Sequence, residues 1–363
     1  MNSEKHGDRK HHKSHNSSSR EKHKKRDSSK EKSKKHLLKI TTQKNQLQDL
    51  KEKVSFILDK EKAPMMGFQK AKNRNEDNIL IHWGQRKLFI SELWFLTQYG
   101  HLGKSVVYAG AAAGTHIPFL ASLFPEHHFI LVDPSKFIFK NLKDEDAITK
   151  AKERLDVRQE FFTDEMAADI ANKHSDILFI SDIRGGAGDK DVGKEVWEDN
   201  VRKDNMKQRD WINILKPKKS LLKFRCPFNQ KENLKMFDGE VFLQPWAPAR
   251  SAETRLVPSN PLVEVEWDNL KYENQLFYHN MITRREIKYG QPIQDGVGFN
   301  QRWDVSAEIT ILFDFLLKFP QKAYEEIGWY EKIMNFSEDI SFHISLNYRT
   351  LETPTPPGKN YDD

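Results

Sequence analysis

Four short apolar runs, at 105–109, 129–132, 177–181 and 220–224, are separated by stretches of helical character near 115–124, 164–173 and 196–215. Strands joined through helices run parallel, and a parallel sheet must be covered on both faces. The alternation therefore predicts an α/β fold: a mostly parallel, doubly wound sheet with helices on both faces. "KLFISELWFLTQY" (87–99) carries apolar residues at helical spacing and reads as a helix packed on the core. "EVFLQPW" and "ETRLVP" read as closing strands, 41–60 as a polar helix and 304–348 as further helices, with no internal repeat.

Charge divides the chain. Residues 1–36 hold 13 Lys/Arg against 5 Asp/Glu, whereas the whole chain is only +6, so the basic character belongs to this end. Lysine, serine and histidine dominate there, with nothing to offset the entropy of ordering. Residues 1–38 are expected to be a disordered basic tail, acting as an RNA tether, a localisation signal or a solubilising segment. Residues 39–350 then form a single domain with helical additions at both ends, and 351–363, around "TPTPPGKNYDD", a flexible tail. The single cysteine, Cys226, excludes an intrachain disulfide and a cysteine metal cage. No metal site is expected. Without an apolar leader or a run of roughly 18–20 apolar residues, the expectation is a protein inside the cell, in the cytoplasm, with no membrane partner.

"SVVYAGAAAGTHIPFL" (105–120) joins the first strand to a helix through Gly110 and Gly114. In an open α/β sheet, ligands bind beyond the carboxyl ends of the strands. The G-x-x-x-G spacing is neither the dinucleotide fingerprint nor a Walker cradle. The next strand ends in "ILVDPS", where the Asp133 carboxylate can accept both hydroxyls of a ribose. Turn plus acid suits a nucleoside without a pyrophosphate, of which S-adenosylmethionine is the common case; a tight turn that binds nothing is the plain alternative.

Lys223 lies inside the apolar run "SLLKFRCPF", between Leu222 and Phe224. Desolvating an ammonium is costly, so its head must reach a carboxylate or an open crevice, unless the strand is an edge. Asp182 ends "ILFISD", where it caps a helix or faces a ligand, and Glu253 opens a strand between Arg250 and Arg255. With Lys87 at the start of the first core helix, the series in chain order is Lys, Asp, Lys, Glu. "GQRKLFISELWFL", "VVYAGAAAGTHIPFL", "ILFISDIR", "LLKFRCPF" and "SAETRL", spanning roughly 84–280, together resemble the poxvirus cap-specific mRNA 2′-O-methyltransferases. In that family the same chain is also the regulatory, processivity subunit of poly(A) polymerase. The broader similarity is to ribosomal-RNA 2′-O-methyltransferases.

The resemblance implies a Rossmann-like S-adenosylmethionine-dependent methyltransferase from a large DNA virus or a similar source, located in the viral factory or virion. Its substrate would be capped mRNA and its further partner a poly(A) polymerase catalytic subunit. Lys223 is expected to be the general base, with Asp182 orienting it and Lys87 and Glu253 completing the network. A neighbouring cation and a dry crevice favour a neutral lysine, and the carboxylates oppose them. By resemblance, Gln85 and Leu88 lie near the methionine end of the donor, and Tyr108, Gly110, Gly114 and His116 form its turn. Asp133 takes the ribose, Ser135 stands where the family has an arginine, and Phe162 or Thr163 faces the adenine. Arg184, Arg225 and Arg255 would hold RNA phosphates. Phe228 matches one ring that stacks on the cap and Glu273 one carboxylate at its edge. Gln230 replaces a second acid and Arg250 an aromatic, and the second ring should precede Lys87. Methylation of uncapped RNA and a non-catalytic RNA clamp are the alternatives; a nicotinamide-linked dehydrogenase fits the turn poorly.

Overall fold

The structure is a computed structural model that describes residues 17–70, 80–139, 146–185, 193–228, 232–293 and 301–344. Helix α1 (Ser17–Lys53) leads to α2 (Gly84–Tyr99), and then β1 (Ser105–Ala109), α3 (Ile117–Leu123) and β2 (His128–Val132) follow. Next come α4 (Asp146–Lys152), β3 (Leu155–Arg158), α5 (Asp164–Lys173), β4 (Ile177–Ser181), α6 (Lys194–Leu215) and β5 (Lys219–Phe224). The chain continues through β6 (Leu234–Phe237), β7 (Gly239–Phe242), β8 (Thr254–Pro258), β9 (Glu264–Trp267) and α7 (Asn269–Tyr278) to α8 (Trp303–Lys318) and α9 (Trp329–Ile344).

Among the described residues seven strands form one sheet in the order β3-β2-β1-β4-β5-β8-β7, and β6 pairs with β9 in a second, two-stranded sheet. The first five strands are parallel; β8 and β7 close the sheet antiparallel. This is the Rossmann-like doubly wound arrangement that the alternation implies. Strand order turns back at β1, with β2 on one side and β4 on the other, so a crevice opens beyond the carboxyl ends of β1 and β4. The central strands are apolar because both faces are covered: all five residues of β4 are buried. Strand β3, "LDVR", sits at the edge and has no fully buried residue, which is why no apolar run announces it.

Helix α1 begins at Ser17, inside the segment expected to lack order. Its sequence is rich in Lys, Glu and Arg, all good helix formers, and Lys35 pairs with Glu31 one turn away at 3.2 Å. Its end is anchored: Leu47, Leu50 and the following Val54 are buried, and Lys51 pairs with Asp314 of α8 at 2.6 Å. Residues 1–16 and the expected tail at 351–363 lie outside the described residues. Among the described residues no helix is long and apolar enough to cross a membrane.

Candidate active site

Gly110 follows β1 with φ +80°, a left-handed conformation suited to glycine. The chain leaving β4 presses against it: the Asp182 amide donates to the Ala109 carbonyl at 2.9 Å. A Cβ on Gly110 would stand 2.9 Å from the Asp182 carbonyl carbon and the Ile183 nitrogen. One glycine thus lets the turn and the acid share the mouth of the crevice. Gly114, at φ +67°, would bring a Cβ within 3.0 Å of the Ala111 carbonyl oxygen. Gly110→Ala is expected to cost about 1–3 kcal/mol in backbone strain and to displace Asp182. Chemical unfolding together with methyl-transfer assay checks it; wild-type values for both would contradict the close packing.

Four elements converge on one charged cluster. Lys87 lies in the first turn of α2, Asp182 just after β4, Lys223 near the end of β5 and Glu253 just before β8. The Lys87 Nζ is 2.8 Å from Glu253 Oε1, and the other oxygen of Glu253 is 3.5 Å from the Lys223 Nζ. Lys223 also lies 3.4 Å from Asp182 Oδ1, which the Arg255 guanidinium meets at 2.6 Å. The result is an alternating row: Lys87, Glu253, Lys223, Asp182, Arg255. Lys223 is therefore not an edge-strand lysine: β5 is paired on both sides, and the side chain is 14 % exposed.

Burial alone would push the Asp182 carboxyl up, but the Arg255 guanidinium and the Lys223 ammonium outweigh it, leaving the group below its ordinary value. Glu253 is likewise raised by burial, yet Lys87, Lys223 and Arg255 hold it well below the usual carboxylate range. Burial would lower the affinity of Arg255 for its proton, but Asp182 and Glu253 raise it. Both acids are depressed in the folded state. Their contribution to stability is thus present above the ordinary carboxylate range and lost as pH falls through the depressed values.

The arginines are not free to hold RNA as expected. Arg255 is 2 % exposed and paired with Asp182, so it cannot meet a phosphate. Arg225 is buried and grips both oxygens of Glu198 at 2.7 and 2.9 Å. Arg184 is partly buried between Asp204 at 3.5 Å and Glu253 at 3.8 Å. Their charges serve internal ion pairs, which charge counting along the chain does not reveal.

Around the glycine turn, Asp133 follows β2 and accepts from the Ala112 amide at 3.1 Å and from the Ser135 amide at 2.7 Å. Each carboxylate oxygen keeps lone-pair capacity for a further donor. Ser135 itself is exposed, and Leu88 is half-buried on α2. Tyr108 does not offer its hydroxyl to the turn: it points into the core and donates to Glu92 at 2.6 Å. Burial, with the nearby Glu92 and Asp182 carboxylates, pushes that phenol well up. Nor does the His116 ring face the turn freely, since Gln85 and Glu92 engage its two nitrogens at 3.0 and 2.8 Å. Thr163 caps α5, its hydroxyl accepting from the Met166 amide at 3.2 Å. Phe162 packs against Trp211, while the neighbouring Phe161 ring is 73 % exposed. Phe161 is thus the exposed ring of the pair, while Phe162 and the Thr163 hydroxyl are engaged within the fold.

Phe228 packs beside the Arg225–Glu198 pair. Its amide donates to Glu198 at 2.7 Å, and the Arg225 guanidinium lies 4.4 Å from its ring centre, covering one face. Glu273, half-buried on α7, is raised by burial and by the nearby Glu198 carboxylate against the pull of Arg225. One turn further along α7, Phe277 carries Phe68, with ring centres 5.2 Å apart. Phe68 is 52 % exposed, and its segment is tied to α7 by the Met66 amide, which donates to the Asn274 carbonyl at 3.0 Å. Among the described residues before Lys87 it is an exposed ring, in a stretch whose sequence shows no periodicity. Gln230 lies outside the described residues.

Residues 42–341 match the family model described as poly A polymerase regulatory subunit. A cap-specific mRNA (nucleoside-2′-O-)-methyltransferase of Myxoma virus (strain Lausanne) is 32% identical over 229 residues, covering 57% of this chain and 63% of that protein. The chain thus spans less than two thirds of the length of that relative. The protein of the same name from Fowlpox virus (strain NVSL) is 30% identical over 287 residues, 73% of this chain and 85% of that protein.

Proposed function

The chain belongs to the poly(A) polymerase regulatory subunit family, and from that premise we propose that it is an mRNA cap 2′-O-methyltransferase. It transfers a methyl group from S-adenosylmethionine to the ribose 2′-hydroxyl of the first transcribed nucleotide of capped mRNA, with 39–350 as the catalytic domain. The observation that carries this reading is the row of alternating charges, centred on Lys223, beside a glycine turn at the strand-order reversal.

The residues around the crevice fit the donor. The close packing of Gly110 on the backbone of Asp182 and Ile183 brings the turn and the end of β4 to one mouth of the crevice, and Asp133 has lone pairs left for two ribose hydroxyls. Gln85 and Leu88 would flank the amino-acid end, with Phe161 available to cover a base. When bound, the donor supplies an electrophilic methyl on a sulfonium. The chain's own groups handle the acceptor. Asp182 meets Arg255 more closely than Lys223, and Glu253 meets Lys87 more closely than Lys223, so the two acids locate the Lys223 Nζ at 3.4 and 3.5 Å without a tight pair. In its neutral form that amine takes the 2′-hydroxyl proton as the oxygen attacks. Fixing the hydroxyl in line supplies much of the rate.

Phe228 and Phe68 are suited to cover the two faces of a methylated, charge-delocalised base, with Glu273 accepting from its edge. Because the Glu273 carboxyl is raised, cap affinity should fall on the acid side at a pH above the ordinary carboxylate range. Cap-analogue titrations across pH check this: Glu273→Gln should bind more weakly and lose that step, and an unchanged profile would exclude Glu273 from the slot. The family description also supports a second role, as regulatory subunit to a poly(A) polymerase catalytic subunit; a cytoplasmic location is part of the same proposal.

The test is incubation with radiolabelled methyl donor and short RNAs with or without a 7-methylguanosine cap, followed by nucleoside analysis. Label at the first 2′-oxygen of capped RNA alone is the expected result. Equal labelling of uncapped RNA would remove cap specificity, and no label on either RNA would overturn the enzyme reading.

A further inference from the structure

A second polar network lies beneath the crevice. Gln85 and Glu92, seven residues apart on α2, face the same side of that helix, and the His116 ring is set between them. Its Nδ1 is 3.0 Å from Gln85 Oε1 and its Nε2 is 2.8 Å from Glu92 Oε2. Gln85 Oε1 also accepts from the Thr115 hydroxyl at 2.9 Å, which in turn lies 3.1 Å from the Ile344 carbonyl of α9. Glu92 accepts from Tyr108 at 2.6 Å. His116, Glu92, Tyr108 and Thr115 are all 4 % exposed or less, whereas Gln85 is half-buried.

The arrangement is asymmetric. The amide oxygen of Gln85 is held from two sides, while among the described residues its amide nitrogen makes no hydrogen bond. A primary amide can turn over, exchanging an acceptor for a donor at little cost in shape. Which end faces the crevice therefore depends on the groups that hold the other end.

We propose that His116 is a positioning residue: donating from Nδ1 to Gln85 Oε1, with Glu92 accepting from Nε2, it turns the Gln85 amide nitrogen toward the carboxylate of the methyl donor. Gln85 is thereby made selective for ligands that carry the amino-acid group. The inference rests on the reading that Gln85 lines the amino-acid end of the donor site. Burial of His116, Glu92 and Thr115 shields these contacts from competing water.

The experiment compares binding of S-adenosylhomocysteine with that of 5′-methylthioadenosine, which keeps the nucleoside thioether and lacks the amino-acid group. Three proteins are measured calorimetrically: wild type, His116→Asn and His116→Gln. The asparagine amide can replace Nδ1 and keep the bond to Gln85; the glutamine amide reaches the place of Nε2 and keeps only Glu92. His116→Gln should lose about tenfold in affinity for S-adenosylhomocysteine, the worth of roughly one hydrogen bond, and none for methylthioadenosine. His116→Asn should stay close to wild type for both. A merely structural histidine would give equal losses for the two ligands, or rank the variants the other way, and either result overturns the proposal. Thr115→Val, which removes the other anchor without touching Glu92, should show the same ligand-selective loss if His116→Gln fails to fold. Wild type that binds neither ligand would overturn the donor reading itself, and this inference with it.

Discussion

Lys223→Arg is expected to give a folded protein whose methyl transfer falls by about 10²–10⁴-fold, the usual contribution of a positioned base. Guanidinium stays protonated in proteins, so it cannot accept the 2′-hydroxyl proton. It can, however, fork toward carboxylates, and the two acids now 3.4 and 3.5 Å from the Lys223 Nζ are placed to receive it. Charge balance in the row is kept, which separates loss of chemistry from loss of fold. Single-turnover methylation with saturating donor and capped RNA reads the first, and a thermal melt the second. Rates within a few-fold of wild type would remove Lys223 from the proton transfer. Stimulation of a poly(A) polymerase catalytic subunit should survive in this variant, because holding RNA needs no base.

The contrast between what pattern reading finds and what it misses has a physical basis. Strands β1 and β4 are buried on both faces and read as apolar runs, whereas in β5 Lys223 interrupts the run between Leu222 and Phe224. That anomaly made the cluster legible, because a lysine among buried neighbours needs counter-charges. Strand β3 and the paired strands β6 and β9 are not legible: each has four residues, charged ones alternate through "LDVR" and "EVEW", and Lys235 breaks "LKMF". The sequence hides the partner of Arg255, because Asp182 is remote along the chain and adjacent only once β8 reaches the sheet. Thr163 was open to a better reading, since threonine before "DEM" at a helix start is an ordinary N-cap signal. Phe68 had no periodic pattern to anchor it, and its place depends on docking against α7.

The largest effect on stability is expected from Glu308→Ala, in the buried ion pair that joins α2 to α8. Arg86 of α2 is fully buried, and Glu308 of α8 is its counter-charge: Nε meets Glu308 Oε2 at 2.7 Å and Nη2 bonds Oε1. The same carboxylate accepts from the Trp246 indole at 2.6 Å and from the Ser337 hydroxyl at 3.0 Å. Removing it strands a guanidinium in a site that water cannot reach, a loss of about 3–5 kcal/mol, larger than a typical single substitution. Arg86 lies between Gln85 and Lys87, so the first turn of α2 should loosen even where the protein stays folded. Urea unfolding gives the stability change, and methyl transfer measured well below the transition reports the loosened turn. Replacing both partners, Arg86→Met with Glu308→Leu, removes the stranded charge along with its partner. That pair should recover much of the stability that Glu308→Ala loses, whereas a loss below about 1 kcal/mol in the single variant would mean that the guanidinium finds water or another acceptor.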